Sequence, residues 1–274
     1  MTTETIHRQP VLALPHGGGP CFVSTYPAPL EPAVWASLGR FLRDQGAAIR
    51  PRPRAVLVIS GHWEEAVPTV TTAVETSLYY DYYGFAPEAY ALHWPVKGAP
   101  DVARRVRKLL ADAGIASAED AGRGLDHGVF VPLMEMFPDA DIQIVQLSLQ
   151  RDLNPAAHLA IGRALAPLRD EGILIIGSGS TFHNAREVMP SERSAQAART
   201  FGAWVAEVMA ERLPERRFAR LADWQSGPDA RFNHPKEEHL LPYHVAAGAG
   251  GDDPGATIFD DLVAHKAQYA FRFG

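Results

Sequence analysis

The chain has 274 residues, 46% of them hydrophobic and 21% charged, a composition suited to a globular α/β enzyme that buries its own core. Its net charge of −6 argues against a nucleic-acid surface, which needs a basic stripe, and its one cysteine, Cys21, excludes an intrachain disulfide. No stretch has the roughly 18 uninterrupted apolar residues of a membrane span, and residues 1–9 lack the apolar run of a secretory signal. The expectation is one catalytic domain over residues 1–274, cytoplasmic, as a monomer or small homo-oligomer, with no nucleic-acid or membrane partner.

In chain order the pattern predicts strand 11–14, helix 31–45, strands 55–60 and 69–73, and helices 100–113 and 131–137. Strand 142–149, helix 155–169, strand 173–177, helices 191–212 and 235–247 and strand 267–273 follow. The continuous apolar runs AVLVIS at 55–60 and ILIIG at 173–177 suit strands buried on both faces. Asn154-Pro155 and His234-Pro235 read as helix starts, while Gly46, Gly114, Gly172 and Gly248 read as stops. Pro242 is expected to distort the helix at 235–247, because proline removes a backbone donor. The basic group Arg104, Arg105, Arg107 and Lys108 reads as a solvated helix face. Residues 248–255 read as a surface loop. Strands alternating with helices indicate layered α/β architecture.

The 11 histidines are the unusual count. Strand 11–14 runs into Pro15-His16-Gly17-Gly18-Gly19, strand 55–60 into Gly61-His62-Trp63, and strand 173–177 into Ser178-Gly179-Ser180-Thr181-Phe182-His183. Open α/β sheets bind ligands at the carboxyl ends of their strands. If these three strands are parallel neighbours, three imidazoles converge on one crevice, and imidazole is a common ligand for iron and zinc. A fourth segment, 233–244, offers His234, Glu238, His239, Tyr243 and His244. On a continuous helix His239 and His244 would point about 140° apart and could not share a metal. A fifth places His127 between Asp126 and Gly128, ahead of a helix. His7, His93, His158 and His265 read as structural or solvated, and Cys21 as a small buried hydrophobe.

The segments LPHGGGP, ISGHW, GLDHGVFVPLMEMFPDADIQIVQLSL, GSGSTFHN and HPKEEHLLPYHVAAGA, in this order from about residue 11 to the carboxyl end, resemble the class III extradiol dioxygenases. The similarity is greatest to the 4,5-DOPA extradiol dioxygenase-like branch. The resemblance implies a three-layer α/β/α sandwich on a central mixed, mostly parallel sheet. It implies that His16 and His62 are metal ligands and that His239 stands where other branches carry a carboxylate ligand, with Glu238 beside it as an alternative. His183 matches a histidine that serves as ligand or base, and His127 one that handles protons near the substrate. His234 and Tyr243 are the substrate-binding candidates.

The chemistry so implied is cleavage of a catechol-type ring, DOPA-like or related, by O₂ with non-haem Fe(II). Zn(II) would also fill such a site, but it has no second oxidation state with which to support the reaction. The alternative is a zinc-dependent hydrolase using the same histidines with Glu238 as base, although no His-Glu-x-x-His motif is present. A serine hydrolase is disfavoured because neither Ser178 nor Ser180 fits the G-x-S-x-G frame. Tyr79 to Phe85 (YYDYYGF) is expected as a loop near the site, and Trp63, Tyr79, Tyr80, Tyr82, Tyr83, Trp94 and Tyr243 as aromatic candidates for its walls.

Overall fold

A computed structural model describes residues 7–24, 26 and 29–274. Its elements begin with β1 (Val11–Pro15), α1 (Ala36–Ala48), β2 (Ala55–Glu65), β3 (Thr69–Thr71), β4 (Lys97–Gly98), α2 (Pro100–Asp112) and β5 (Ala118–Asp120). They continue with α3 (His127–Met136), β6 (Gln143–Gln150), α4 (Pro155–Leu165), β7 (Ile173–Gly179), α5 (Glu192–Ala210) and α6 (Pro214–Ala222). The chain closes with α7 (Ala230–Asn233), α8 (Leu241–Gly250), β8 (Gly255–Val263) and β9 (Lys266–Phe273).

The nine strands form one mixed sheet in the order β5-β3-β6-β2-β7-β1-β9-β8, with β4 on β6. Its centre, β6-β2-β7-β1, is parallel, while β9 and β8 close the far side antiparallel. The alternation of side chains along each strand sorts the core onto two faces. Val11, Ala13, Leu57 and Ile175 pack beneath α2, α4, α5 and α8, whereas Leu12, Leu14, Val58 and Ile176 pack beneath α1 and α3. This is the expected three-layer α/β/α arrangement. The histidine-bearing strands β2, β7 and β1 are consecutive parallel neighbours, so their carboxyl ends share one edge.

Several predicted elements are revised. Residues 234–240 are turn rather than helix, and Pro242 does not distort α8 but stands in its first turn, where a missing N–H costs nothing. The helix runs through Gly248 to Gly250 and stops at Gly251, whose φ is 61°. Likewise α1 continues past Gly46. The edge strand β8 and the helix α6 carry too many exposed charges to stand out in the hydrophobic pattern. No helix among the described residues is long and apolar enough to cross a membrane. The basic face of α2 is solvated and paired, Arg105 with Glu171, Arg107 with Glu119 and Lys108 with Asp112.

Candidate active site

His16 follows β1 directly. His62 lies within β2, in the irregular stretch between Ile59 and Glu64 where the register with β6 shifts. Such a bulge re-aims a side chain out of the strict alternation of the strand. His239 comes from the turn before α8, which is pressed onto the strand ends: Ser180 N donates to His239 O at 2.9 Å. Glycine makes that approach possible. A Cβ on Gly179 would sit 2.1 Å from His239 O, and one on Gly61 would sit 2.9 Å from Glu238 O.

The three imidazoles meet at their Nε2 atoms. His62 Nε2 is 3.1 Å from His16 Nε2 and 3.1 Å from His239 Nε2. Two nitrogens each about 2.1 Å from a shared ion lie about 3.0 Å apart at a right angle and about 3.4 Å apart at the tetrahedral angle, so the spacing suits a common metal. The outer nitrogens are also partnered. His16 Nδ1 faces Ser178 Oγ at 3.2 Å, His62 Nδ1 faces Asp81 at 3.5 Å, and His239 Nδ1 donates to Glu238 Oε1 at 2.9 Å. Partners of this kind fix the tautomer that leaves Nε2 free. Burial, and then the neighbouring imidazoles, push all three histidines well below the usual range. They are therefore neutral near pH 7, with lone pairs available to a cation.

Two further histidines border this triad. His127 opens α3, and its Nδ1 and backbone N–H both donate to Asp81 Oδ1, at 2.7 and 3.0 Å. Its Nε2 is left as an acceptor. Asp81 thus holds one ring of the triad and the ring beside it, whose centroids are 3.9 Å apart. His183 stacks on His239 at 3.4 Å between centroids, and its Nδ1 lies 3.2 Å from Glu238 Oε1. It stands outside the three-nitrogen set and shares the Glu238 carboxylate with His239. Glu238 Oε1 is shared by the outer nitrogens of His239 and His183, while its Oε2 is buried without a hydrogen-bond partner. Burial works to raise its pKa, but the His183 hydrogen bond, its own backbone N–H and nearby cations bring it below the usual range.

Beneath this group, Asp126 is fully buried and accepts hydrogen bonds from Ser60 Oγ at 2.7 Å and from Gln146 Nε2. Burial, and then Asp81, raise its pKa. Ser60 Oγ also accepts from His62 N at 3.2 Å, so this carboxylate steadies the backbone that carries His62.

A cavity of about 560 Å³ opens onto His16, His127, His183 and His239. Its other walls are largely apolar and include Tyr26, Trp35, Tyr82, Tyr83, Phe85 and Phe182. The YYDYYGF segment lies at the site as expected, but of the aromatic candidates only Tyr82 and Tyr83 line the cavity. Trp63 and Tyr79 clasp the Arg123 guanidinium, and Trp94 donates to Phe137 O in the core.

The expectation that His234 and Tyr243 bind substrate is corrected. Both are fully buried away from the cavity. His234 Nε2 donates to Thr181 O at 3.1 Å with its ring against Phe201 and Trp224, and Tyr243 Oη donates to Tyr269 O at 2.8 Å. Both belong to the core because residues 234–240 form a turn, which swings His239 alone toward the strand ends. His244 is also internal, facing Leu221 O and Leu240 O, and His158 bridges Asn154 O and Gln150 N. Sequence reasoning missed Asp81, Ser178 and Trp35. Only Asp81 carries a visible signal, an acid set among four tyrosines.

An α/β/α sandwich with an imidazole triad beside an apolar cavity is compatible with a metal site that serves a small-molecule pocket. Residues 11–272 match the family model described as the catalytic LigB subunit of aromatic ring-opening dioxygenase. The chain belongs to that family and is a class III extradiol dioxygenase-like protein. It is 36% identical to dioxygenase tasH of Hapsidospora irregularis, over 97% of this chain and 85% of the relative. It is 40% identical to the 4,5-DOPA dioxygenase extradiol of Beta vulgaris, over 76% of this chain and 77% of the relative. The Escherichia coli K12 protein of the latter name is 33% identical over 92% and 89%. The crystal structure of an uncharacterized E. coli K12 protein superposes with a TM-score of 0.75 at 30% identity, covering 97% of this chain and all of that one.

Proposed function

We propose that this protein opens catechol-type rings, DOPA-like or related, by extradiol cleavage with O₂, and that His16, His62 and His239 hold the Fe(II) on which the reaction depends. The observation that carries the reading is the meeting of three Nε2 atoms, with that of His62 3.1 Å from each of the other two, beside a cavity sized for one aromatic ring and its substituent. Bound there, a redox-capable ion supplies the electron relay between diol and O₂ that zinc cannot.

The chain's own residues do the rest. His127 Nε2, an acceptor because Nδ1–H is committed to Asp81, takes a proton from a catechol hydroxyl as the diol binds. His183, tethered to Glu238 at the cavity wall, is the second proton carrier and serves the later protonation of the product oxygens. Tyr82, Phe85 and Phe182 sandwich the ring and keep bulk water from it. Glu238 orients His239 and His183 through its Oε1.

Anaerobic loading with Fe(II), followed by O₂ uptake with a panel of catechols, tests the reading. One O₂ consumed per ring, with a yellow ring-opened product, is expected. Turnover by zinc-loaded protein under strict iron exclusion would contradict it.

A further inference from the structure

Lys266 is the one lysine or arginine among the described residues that line the cavity, and it is only 5% exposed. Burying an ammonium is costly unless an anion or several acceptors meet it. Here its Nζ reaches one backbone acceptor, Met189 O, at 3.4 Å, and sits 5.8 Å from the centroid of the Phe182 ring. No carboxylate among the described residues forms an ion pair with it. Glu187, also on the cavity wall, is the acid that acts on it: burial pushes the Lys266 ammonium down, and Glu187 partly restores it.

The neighbouring polar groups are already committed. Gln268 Oε1 accepts from Ser180 Oγ, Thr181 N and Thr181 Oγ1, and its Nε2 donates to Phe182 O. Asn184 donates to Phe232 O and accepts from Arg186 N. Lys266 therefore holds the spare donors of this wall.

Its placement is built into the fold. Lys266 opens β9, which runs antiparallel to β1, so it arrives at the sheet edge where β1 and β7 end. The turn before it, Ala264-His265, has φ of 47° and 66°, a conformation that asparagine and glycine ordinarily supply. Two bonds hold it: Ala264 N donates to Val34 O at 3.1 Å, and His265 Nε2 donates to Pro29 O at 2.7 Å. A non-glycine residue in this region is strained, and such strain persists only where its surroundings enforce it.

We infer that Lys266 reads the ring substituent, pairing with a carboxylate borne on the side chain of the catechol. The inference deepens the ring-cleavage reading above and rests on it for the diol. A carboxylate entering the cavity gives the ammonium the charged partner it lacks, and an ion pair formed away from water is strong. A catechol with an uncharged arm gains none of this and leaves Lys266 unpaired.

Titration calorimetry on the zinc-loaded full chain tests the inference without requiring turnover. Two ligands with the same diol and the same two-carbon arm are compared, 3-(3,4-dihydroxyphenyl)propanoate and 4-ethylcatechol. The wild type is expected to bind the carboxylate at least about tenfold more tightly. Lys266→Met should abolish that preference, Lys266→Arg should keep most of it, and both should bind 4-ethylcatechol within about twofold of the wild type. A wild type that binds neither ligand or shows no preference would overturn the assignment. So would a Lys266→Met variant that keeps the preference or weakens both ligands equally. Failure of the iron-loaded enzyme to take up O₂ would sink the ring-cleavage reading separately, since the calorimetry records binding alone.

Discussion

His16, His62 and His239 stand on the ends of adjacent parallel strands and on backbone pressed against them, whereas much of the remaining cavity lining is loop. The first is rigid for identifiable reasons. Strands β1, β7 and β2 are buried throughout their common register, and the approach of residue 239 to Gly179 leaves no room for a methyl group. The second, from Tyr82 to Phe85, from His183 to Val188 and at the Ala264-His265 turn, is held by a few polar contacts and aromatic edges. The contrast is one of function. On the proposed function, chemistry that needs nitrogens set to within a fraction of an ångström is mounted on the sheet, and selection among substrates falls to Lys266 at the start of β9 together with loop segments that vary at little cost to the fold.

The comparison breaks first at His62, the ring shared by both close nitrogen pairs. His62→Ala is expected to lower ring-opening turnover at least about 1,000-fold and to remove stoichiometric iron, read by metal analysis and O₂ uptake on the same sample. Retention of both would show that the strand-borne nitrogens are not the site. At the next level, His127→Gln should reduce kcat by roughly 100- to 10,000-fold while iron content stays at the wild-type level, because the role proposed for the residue is proton transfer rather than metal binding. Loss of iron in that variant would move His127 into the ligand set.

Glu238→Gln comes third. Its carboxylate holds the outer nitrogens of His239 and His183, so roughly a 10- to 100-fold loss in iron affinity or activity is expected, measured by chelator competition. The smallest effect concerns the core behind the site. Burial, and then His183, push His234 down to about 3, whereas the unfolded chain titrates near 6.5. Below pH 6.5 the unfolded state binds a proton that the folded state refuses, so stability falls as pH falls from about 6.5 toward 3. Between pH 7 and pH 5 this one residue should cost about 2 kcal/mol, read from denaturant midpoints. A midpoint unchanged over that interval would mean that His234 is not held neutral.

This division also explains what could be read from the amino-acid order alone. The strand-borne histidines were legible because a buried parallel strand writes a continuous apolar run, and because His16 and His62 follow such runs directly. The α/β/α layering followed from the alternation of those runs with helical periods. His239 was legible through family resemblance, but its geometry was not: Pro235 and Pro242 both look like helix signals, and only the tertiary approach to Gly61 and Gly179 decides that 234–240 is a turn. The same ambiguity put His234 and Tyr243 at the substrate when they belong to the core. The loop walls were the least legible. Asp81 stands out as an acid among four tyrosines, but nothing local says which rings it holds, and nothing local distinguishes Lys266 from any lysine at a hairpin. Their roles exist only once β9 has returned beside β1 and α3 has brought His127 next to Asp81.

X-ray absorption on the anaerobic, Fe(II)-loaded protein addresses the metal assignment without passing through activity. Three imidazole nitrogens at about 2.1 Å from a single iron are expected, with a shell that loses imidazole scattering in His62→Ala. A shell made of carboxylate and water oxygens, or one unaltered by the substitution, would contradict it.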